Sequence, residues 1–333
     1  MGCQIKHINY HLSQREVSNE MLAAEFPDFT AEKIFKNVGI KKRYVTDENI
    51  IGSDLAFNSA QDFFEETNVK KEEIEFILFC TGGSDYIAPM NASLLQNRLA
   101  LNESIGALDL PSGCSGATNA LGMAKAIIES GQANNVLLLF GETPGLVSHP
   151  KDFALRSLFS DAGATMFIEK TEKNHIGKVV YGVDGGGAKH LFVDQSCLRN
   201  PPTKGWLDEN KGVGGMPRGQ MKMNGIEVFT FSIKKVPILV EDILKKNDLE
   251  MEDIDLFVFH QASKIILKSI QRKLKINDER MAYYIENNGN TVSISIPLAL
   301  KEAEKEGKIK PGDKVLIAGF GIGFSWSGTV LFY

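Results

Sequence analysis

Cys114 lies where a predicted strand gives way to a predicted helix, a position suited to a nucleophilic thiol. The apolar run A-L-D-L is followed by the small-residue turn P-S-G-C-S-G, and a helix begins directly after the thiol. Free amides and the positive end of the helix dipole favour the thiolate, so we expect the pKa of Cys114 to lie below the usual value of about 8.5. A small buried cysteine at a tight turn explains the same pattern, so Cys114 alone leaves both interpretations open.

His260 and Asn290 occupy similar positions and supply groups that a cysteine needs for thioester chemistry. His260 ends the apolar strand I-D-L-F-V-F, where ligands bind in α/β sheets, and Asn290 follows Y-Y-I-E-N-N-G in front of a helix. A thiolate attacks a thioester carbonyl to give an acyl-enzyme. A histidine and an asparagine can then hydrogen-bond the oxygen of a malonyl-type thioester as carbon dioxide leaves, and the resulting carbanion attacks the acyl group.

The chain repeats itself at a nearly constant offset, which places these residues at equivalent points of two halves. The run V-K-K-E-E-I-E-F-I-L-F begins at Val69, and L-E-M-E-D-I-D-L-F-V-F begins 180 residues later at Leu249. Cys114 and Asn290 are separated by 176 residues. We expect two βαβ-rich halves around a pseudo-twofold axis, residues 1–170 with the nucleophile and 171–333 with the histidine and asparagine. Chance similarity of apolar strand patterns is the alternative.

The composition indicates a globular protein and argues against two classes of partner. A chain of 333 residues with 43% hydrophobic content can bury a large core. The net charge of -5 without a basic block speaks against nucleic acid or an anionic membrane as partner. The four cysteines show neither C-x-x-C spacing nor zinc-ligand spacing, so we expect no metal site and a reducing, cytoplasmic location. No apolar run approaches the roughly 18 residues of a membrane span.

In their sequence contexts, these residues resemble the β-ketoacyl-acyl carrier protein synthase III family. The matching motifs are D-L-P-S-G-C-S-G, F-H-Q-A, N-G-N-T-V-S-I-S-I-P and G-F-G-I-G-F-S-W, together with G-I-K-K-R-Y, F-S-D-A-G-A and M-N-G-I-E-V-F. The resemblance implies an α/β thiolase fold with five α-β-α-β-α layers, a homodimer, and no bound cofactor. It also implies condensation of an acyl thioester with a malonyl thioester in fatty acid or related secondary-metabolite biosynthesis.

The resemblance assigns roles to individual residues. Cys114, His260 and Asn290 would be catalytic, and the backbone amides of Cys114 and Ile322 would bind the oxyanion. The substrate tunnel would include Phe320, Ala88, Gly225 and Phe229. Where the family typically has H-Q-A-N, this chain has H-Q-A-S followed by Lys264 and Lys268. These lysines either face an acidic acyl carrier protein or are ordinary surface lysines.

The chain departs from the family where coenzyme A is usually held. Members that use acetyl-coenzyme A stack the adenine between a tryptophan and an arginine, and those positions here are Lys33 and Asn37. Phe153 stands where the family has a second arginine of the nucleotide site. Arg156 lies one helical turn later and is the candidate substitute. An acyl carrier protein is therefore the expected donor, with acyl-coenzyme A as the alternative.

A second departure concerns the acyl pocket. Ala88 stands where the family often has a bulky aromatic, which predicts a pocket larger than acetyl unless Tyr86 and Met90 refill it.

Two other functions fit the same residues. One is an acyltransferase on this fold that moves the acyl group from Cys114 to an alcohol, amine or sugar, with His260 as general base. The other is a non-catalytic subunit of a heterodimeric synthase. The intact set of Cys114, His260 and Asn290 argues against the second.

Overall fold

Two β-sheets, one in each half of the chain, form the framework of the protein. The computed structural model describes residues 2–209 and 219–333. The strands are β1 (Gly2–Leu12), β2 (Arg15–Ser18), β3 (Lys42–Val45), β4 (Phe76–Thr81), β5 (Gly106–Pro111), β6 (Asn135–Glu142), β7 (Ala162–Thr171), β8 (Val180–Val183), β9 (Leu191–Asp194), β10 (Gln220–Met223), β11 (Leu256–Phe259), β12 (Lys314–Gly321) and β13 (Ser325–Phe332). The helices are α1 (Asn19–Glu25), α2 (Ala31–Val38), α3 (Gly52–Glu66), α4 (Asn91–Arg98), α5 (Gly116–Glu129), α6 (Phe153–Leu158), α7 (Lys204–Glu209), α8 (Gly225–Lys246), α9 (Lys264–Leu274), α10 (Ile285–Asn288) and α11 (Ser295–Lys305).

Four strands of the first sheet have the same arrangement as the four strands of the second. The first has the strand order β1-β7-β6-β4-β5 and the second has the order β11-β12-β13-β8. In the first sheet β4 is parallel to β6, and β7 is antiparallel to β6 and to β1. In the second sheet β11 is parallel to β12, and β13 is antiparallel to β12 and to β8. The repeat expected from the sequence is thus present in the fold.

The first sheet uses strands between Gly2 and Thr171, and the second uses strands between Val180 and Phe332. We propose on this basis that the two halves divide near residue 170.

Five layers stack in the order helix, sheet, helix, sheet, helix. Helix α5 lies between the sheets, because it contacts β4 and β6 on one side and β12 and β13 on the other, and α11 lies beside it against β1, β7 and β11. Helices α3 and α4 cover the outer face of the first sheet, and α8 and α9 cover that of the second. This is the layer order expected from the sequence.

The residue types of the central layers follow from being covered on both sides. Helix α5 presents small residues such as Ala117, Ala120 and Ala124 to the core, which lets it fit between two sheets. The run from Val136 to Phe140 in β6 is completely buried, as expected for a strand with helices on both faces.

A short segment before β7 binds β3 on one side and pairs with the loop that carries Asn290 on the other. The buried Arg43 donates to the Ser157 carbonyl at 2.8 Å, and the Tyr44 amide donates to the Ser160 hydroxyl at 2.9 Å. The Asp161 carboxylate accepts the Thr46 amide at 2.9 Å. Burial raises the pKa of Asp161 to about 6, and the hydrogen bonds from Thr46 and from the Gly145 amide oppose that rise. These contacts fix the segment against which the Asn290 loop pairs.

Within residues 2–209 and 219–333, none of the helices has the length and apolar character needed to cross a lipid bilayer.

Candidate active site

Cys114 lies in the turn between β5 and α5, as the sequence predicts, and is 7% exposed. The turn packs against Cys80 and Ser293. A Cβ built on Gly116, the first residue of α5, would lie 2.6 Å from the Cys80 sulfur and 3.0 Å from Cβ of Ser293. Glycine at residue 116 therefore lets the helix begin two residues after Cys114.

The end of β12 packs on the thiol from the other half. A Cβ built on Gly321 would lie 2.7 Å from the Cys114 sulfur, so a side chain there would displace the thiol. The backbone amides of Ile322 and of Cys114 itself lie close enough to the Cys114 thiol to lower its pKa. Ile322 avoids the left-handed region that its glycine neighbours adopt. Both amides assigned to the oxyanion thus lie at the sulfur.

The pKa of Cys114 moves in the direction opposite to the one expected from the helix start. Burial raises it to about 11, the Ile322 amide lowers it, the charge of Glu142 raises it, and the Cys114 amide lowers it. The sequence showed the helix start, but it did not show that the thiol would be buried against the second half. In the substrate-free site Cys114 is therefore a neutral thiol at physiological pH.

His260 directly follows β11 and is 1% exposed. Its ring packs edge-on against Phe320, with ring centroids 5.6 Å apart, and its Nδ1 lies 2.7 Å from the Ser295 hydroxyl. Burial lowers the pKa of His260 to about 3, and the backbone of Val292 acts in the opposite direction. The imidazole is therefore neutral across the physiological range.

Asn290 joins the two halves through its backbone and presents its amide to the site. Its N–H donates to the Leu158 carbonyl, and its carbonyl accepts the Ser160 amide, both at 2.9 Å. The side-chain Nδ2 donates to the Ala262 carbonyl at 3.1 Å, and Oδ1 accepts the Val292 amide at 2.9 Å. Nδ2 carries two hydrogens, so one remains for a ligand.

Val292 links Asn290 to the nucleophile. Its φ of 54° places a β-branched residue in the left-handed region, and the Asn290 side chain holds its amide there. The Val292 side chain packs with Cys114 and Phe159 in one buried apolar cluster. Strained backbone of this kind persists where the surroundings fix it, and it occurs often in active sites.

The comparisons with known proteins agree with this geometry over nearly the whole chain. Residues 108–185 match the 3-oxoacyl-[acyl-carrier-protein (ACP)] synthase III family, and residues 244–333 match its C-terminal region. A β-ketoacyl-[acyl-carrier-protein] synthase III of Campylobacter jejuni is 33% identical over 332 residues, which is 99% of this chain and 98% of the relative. This chain belongs to the β-ketoacyl-[acyl-carrier-protein] synthase III family.

Solved structures give the same result for the fold. A 3-oxoacyl-(acyl-carrier-protein) synthase III crystal structure superposes with a TM-score of 0.94 at 34% identity and covers all of both chains. The synthase III of Thermus thermophilus superposes with a TM-score of 0.88 at 33% identity over 99% of each chain. The protein therefore has the thiolase fold and is a condensing enzyme of the acyltransferase type that belongs to fatty acid biosynthesis.

Sequence reasoning missed Glu142, the last residue of β6, although it ends an apolar strand much as His260 does. In this synthase Glu142 is 4% exposed, and its carboxylate accepts the Gly82 amide at 3.1 Å and the Ser293 hydroxyl at 2.6 Å. Burial raises the pKa of Glu142 to about 7 against the opposing effect of these donors. Glu142 thus connects the loop after β4 with the turn after Asn290, and its charge acts on Cys114.

The apolar neighbours of the thiol differ from the predicted tunnel residues. They come from α6, the segment after it, the strand β10 and the Asn290 loop: Leu155, Leu158, Phe159, Met221, Met223 and Val292. Of the predicted residues, Phe320 is fully buried against His260, and Phe229 packs against the outer core of the second half. Ala88 and Gly225 are exposed in the single chain. Their tunnel roles remain predictions.

The two lysines predicted to meet a carrier are half-exposed and paired with acids. Lys264 lies 3.7 Å from Glu286, and Lys268 lies 3.0 Å from Asp278.

Among the described residues, no group of three or more histidine, cysteine or acidic side chains is arranged to hold a metal ion.

The burial of Cys114 predicts slow alkylation at neutral pH. In a Cys197→Ser background, which removes the exposed cysteine, we expect the rate of Cys114 modification by iodoacetamide to keep rising up to pH about 11. Mass spectrometry of the modified peptide gives the rate, and Cys114→Ser provides the blank. A plateau near the ordinary value of about 8.5 would show that the thiol is not held in its neutral form.

Proposed function

We propose that this synthase forms an acyl-enzyme on Cys114 and condenses it with a malonyl thioester, using His260 and Asn290 for the second step. The observation that carries the proposal is the position of Ile322. Gly321 of the second half packs on the Cys114 sulfur, and the next amide, that of Ile322, lies close enough to lower the pKa of the thiol. A nucleophile and an oxyanion donor are therefore held side by side in one buried place.

In the first half-reaction the Cys114 sulfur attacks the carbonyl carbon of the acyl thioester. The carbonyl oxygen becomes an oxyanion, which the amides of Cys114 and Ile322 stabilise. The bond between carbonyl carbon and the incoming thioester sulfur then breaks. The departing thiol takes up the proton that Cys114 loses, so acyl-Cys114 and a free thiol are the products.

In the second half-reaction the bond between the malonyl α-carbon and its carboxylate breaks, and carbon dioxide leaves. The electron pair forms an enolate whose thioester oxygen accepts hydrogen bonds from His260 and from the remaining N–H of Asn290. The carbanion attacks the acyl-Cys114 carbonyl, and the carbon–sulfur bond to Cys114 breaks. The product is a 3-oxoacyl thioester, and Cys114 leaves as a thiolate that takes one proton from the solvent to regenerate the neutral thiol. Because His260 is neutral, it serves as a hydrogen-bond donor in this step.

The assigned roles predict different losses in two variants. Cys114→Ala removes acyl-enzyme formation. Asn290→Asp keeps the oxygen that holds the Val292 amide but loses the donor, so acylation continues while condensation falls by about 10²- to 10³-fold. Intact-protein mass spectrometry measures acylation, and carbon dioxide release from malonyl-carrier measures condensation. Equal losses of both half-reactions in Asn290→Asp would contradict the division of roles.

The preferred acyl donor follows from the place where family members hold adenine. Phe153 stacks on Phe29 with ring centroids 3.7 Å apart and an interplanar angle of 8°. No flat base fits between rings at that separation. Arg156, the substitute considered above, pairs with Glu25 at 2.7 Å and with the Pro150 carbonyl at 3.0 Å. We therefore propose a carrier-bound thioester as donor, with coenzyme A thioesters accepted through their pantetheine arm alone.

A group of lysines supports the carrier. Lys41 and Lys264 both contact Glu286 and both lie over the Phe35 ring, so two positive charges share one carboxylate. Lys33 and Lys36 on α2 extend the group and are exposed. We call Lys33, Lys36, Lys41 and Lys264 the α2–α9 lysine patch. Its four lysines outnumber the two acidic neighbours, Glu286 and Glu32. A net positive patch suits an acidic protein partner and raises its association rate.

Donor choice is tested with the same acyl group on three thiols: acyl carrier protein, coenzyme A and pantetheine. We expect kcat/KM for acylation to be highest with the acyl carrier protein and equal, within a factor of about two, for coenzyme A and pantetheine thioesters, because unrecognised adenine adds no binding free energy. Lys36→Glu combined with Lys264→Glu lowers only the carrier value. Lys305→Glu, on the exposed end of α11, is the matched control. A tenfold preference for coenzyme A over pantetheine would show that the nucleotide is recognised.

We also propose a homodimer formed through the open edge of the first sheet. Strand β5 is the edge strand, and Leu108 in its centre is 47% exposed. The nearby loop of residues 82–90 exposes Tyr86, Ile87 and Met90 by 60%, 75% and 45%. Edge strands with apolar surface are usually covered, and a second copy covers both edges at once around a twofold axis.

Dimerisation is checked by sedimentation velocity at micromolar concentration. The unsubstituted enzyme is expected to sediment as a dimer, and Leu108→Lys as a monomer, because the substitution places two like charges at the axis. Ile238→Lys, at a 51% exposed residue of α8, controls for added charge. A monomeric parent enzyme, or a dimeric Leu108→Lys, would overturn the proposal.

The relatives reported above are synthases, which favours condensation over acyl transfer to an alcohol, amine or sugar and over a non-catalytic subunit. A pocket for acyl chains longer than acetyl and a cytoplasmic location remain predictions from the sequence.

A further inference from the structure

Ser295, the first residue of α11, contacts the imidazole ring of His260. It is 1% exposed, and its Oγ lies 2.7 Å from Nδ1 of His260. The helix start fixes the position of its backbone, so the hydroxyl is held against the ring. None of the motifs discussed above gives Ser295 a role.

The hydrogen bonds around Ser295 decide which atom of the pair is the donor. The Gln261 amide donates to the Ser295 Oγ at 3.2 Å, which uses one lone pair of that oxygen. Gln261 is itself fixed, because its side chain donates to the Phe259 carbonyl at 2.7 Å and accepts the Tyr284 amide at 2.9 Å. Within the described part of the chain, Nδ1 of His260 is the remaining hydrogen-bond partner of Oγ.

A neutral imidazole has one ring nitrogen with a proton and one without. If Nδ1 carried the proton, Ser295 would accept twice and its own hydroxyl proton would be buried without an acceptor, which costs about 1–3 kcal/mol. If Nδ1 accepts from the hydroxyl, both Nδ1 and the Ser295 hydroxyl proton have partners. The second arrangement leaves the proton on Nε2.

We propose that Ser295 is a positioning residue that holds His260 in the tautomer with its proton on Nε2, and so makes the ring a donor to the malonyl thioester oxygen. This inference rests on the proposed function for the direction in which His260 works. With the other tautomer, a nitrogen lone pair would face the enolate oxygen and oppose its charge. Ser295 thus determines whether His260 assists or hinders decarboxylation.

The tautomer is tested directly by nuclear magnetic resonance of the enzyme with ¹⁵N-labelled histidine. Protonated and bare ring nitrogens have well-separated ¹⁵N shifts, and the His260→Gln spectrum assigns the His260 signals among the six histidines. We expect a protonated Nε2 in the parent enzyme and a mixture of both tautomers in Ser295→Ala. A parent enzyme with its proton on Nδ1 would overturn the inference whatever its activity.

The catalytic consequence is tested through the two half-reactions. Ser295→Ala is expected to form acyl-Cys114 at the normal rate, and to release carbon dioxide from malonyl-carrier between about tenfold and about 10³-fold more slowly, the upper limit being loss of one oxyanion donor. The loss falls on kcat, because the malonyl substrate still binds. Ser295→Thr keeps the hydroxyl and restores the rate.

The control is Ser232→Ala, which removes another buried helical hydroxyl, one bonded within α8 to the Val228 carbonyl at 2.7 Å. It should leave both half-reactions unchanged. Normal decarboxylation by Ser295→Ala would refute the role of Ser295. Absence of decarboxylation in the parent enzyme would instead refute the proposed function, and the tautomer measured by resonance would still stand.

Discussion

The contact between Gly321 and Cys114 is the constraint on which the rest of the site depends. Strand β12 ends against the turn before α5 only because residue 321 lacks a side chain; a Cβ there would lie 2.5 Å from the Cβ of Cys114. The same approach brings the Ile322 amide onto the sulfur and Phe320 onto His260. The turn belongs to the first half and the strand to the second, so the site exists only when both halves are packed against the helical layer between them.

Burial moves each titratable group of this site toward its uncharged form. The pKa of Cys114 rises to about 11, that of Glu142 rises to about 7, and that of His260 falls to about 3. A reaction whose negative charge appears only briefly, on thioester oxygens, is well served by neutral donors held in fixed directions. Such donors need no reorganisation when the charge develops. A permanent charge beside the thiol would instead alter the electrostatic potential of the site before the substrate binds.

The positions of the three catalytic candidates were predictable from sequence, because each depends on local order. Cys114, His260 and Asn290 all follow or precede regular elements whose patterns are visible in the chain, and the repeat relates two of them. The pKa of Cys114 was not predictable, because it depends on burial by residues some two hundred positions away. Met221 and Met223 were missed as neighbours of the thiol for the same reason.

The importance of polar residues that contact a distant partner could not be predicted from the sequence either. Glu142 and Ser295 look like the end of one strand and the start of one helix, and their importance comes from contacts with Ser293 and His260. The carrier-binding role of Lys264 and Lys268 stays a prediction, and the acids that pair with them come from other elements. Sequence patterns locate side chains along the chain, whereas the protonation and charge of a site depend on what the fold brings beside them.

The stacked pair of Phe29 and Phe153 has a consequence for inhibitor design. A compound that imitates a nucleotide must first separate two parallel rings and forfeit their interaction, about 0.5–1.5 kcal/mol, before it gains any contact of its own. A compound that imitates only the acylated pantetheine arm meets no such penalty. Under the proposed mode of donor binding, a compound without the nucleotide portion gives up no contact here, whereas it gives up adenine contacts in family members that stack the base.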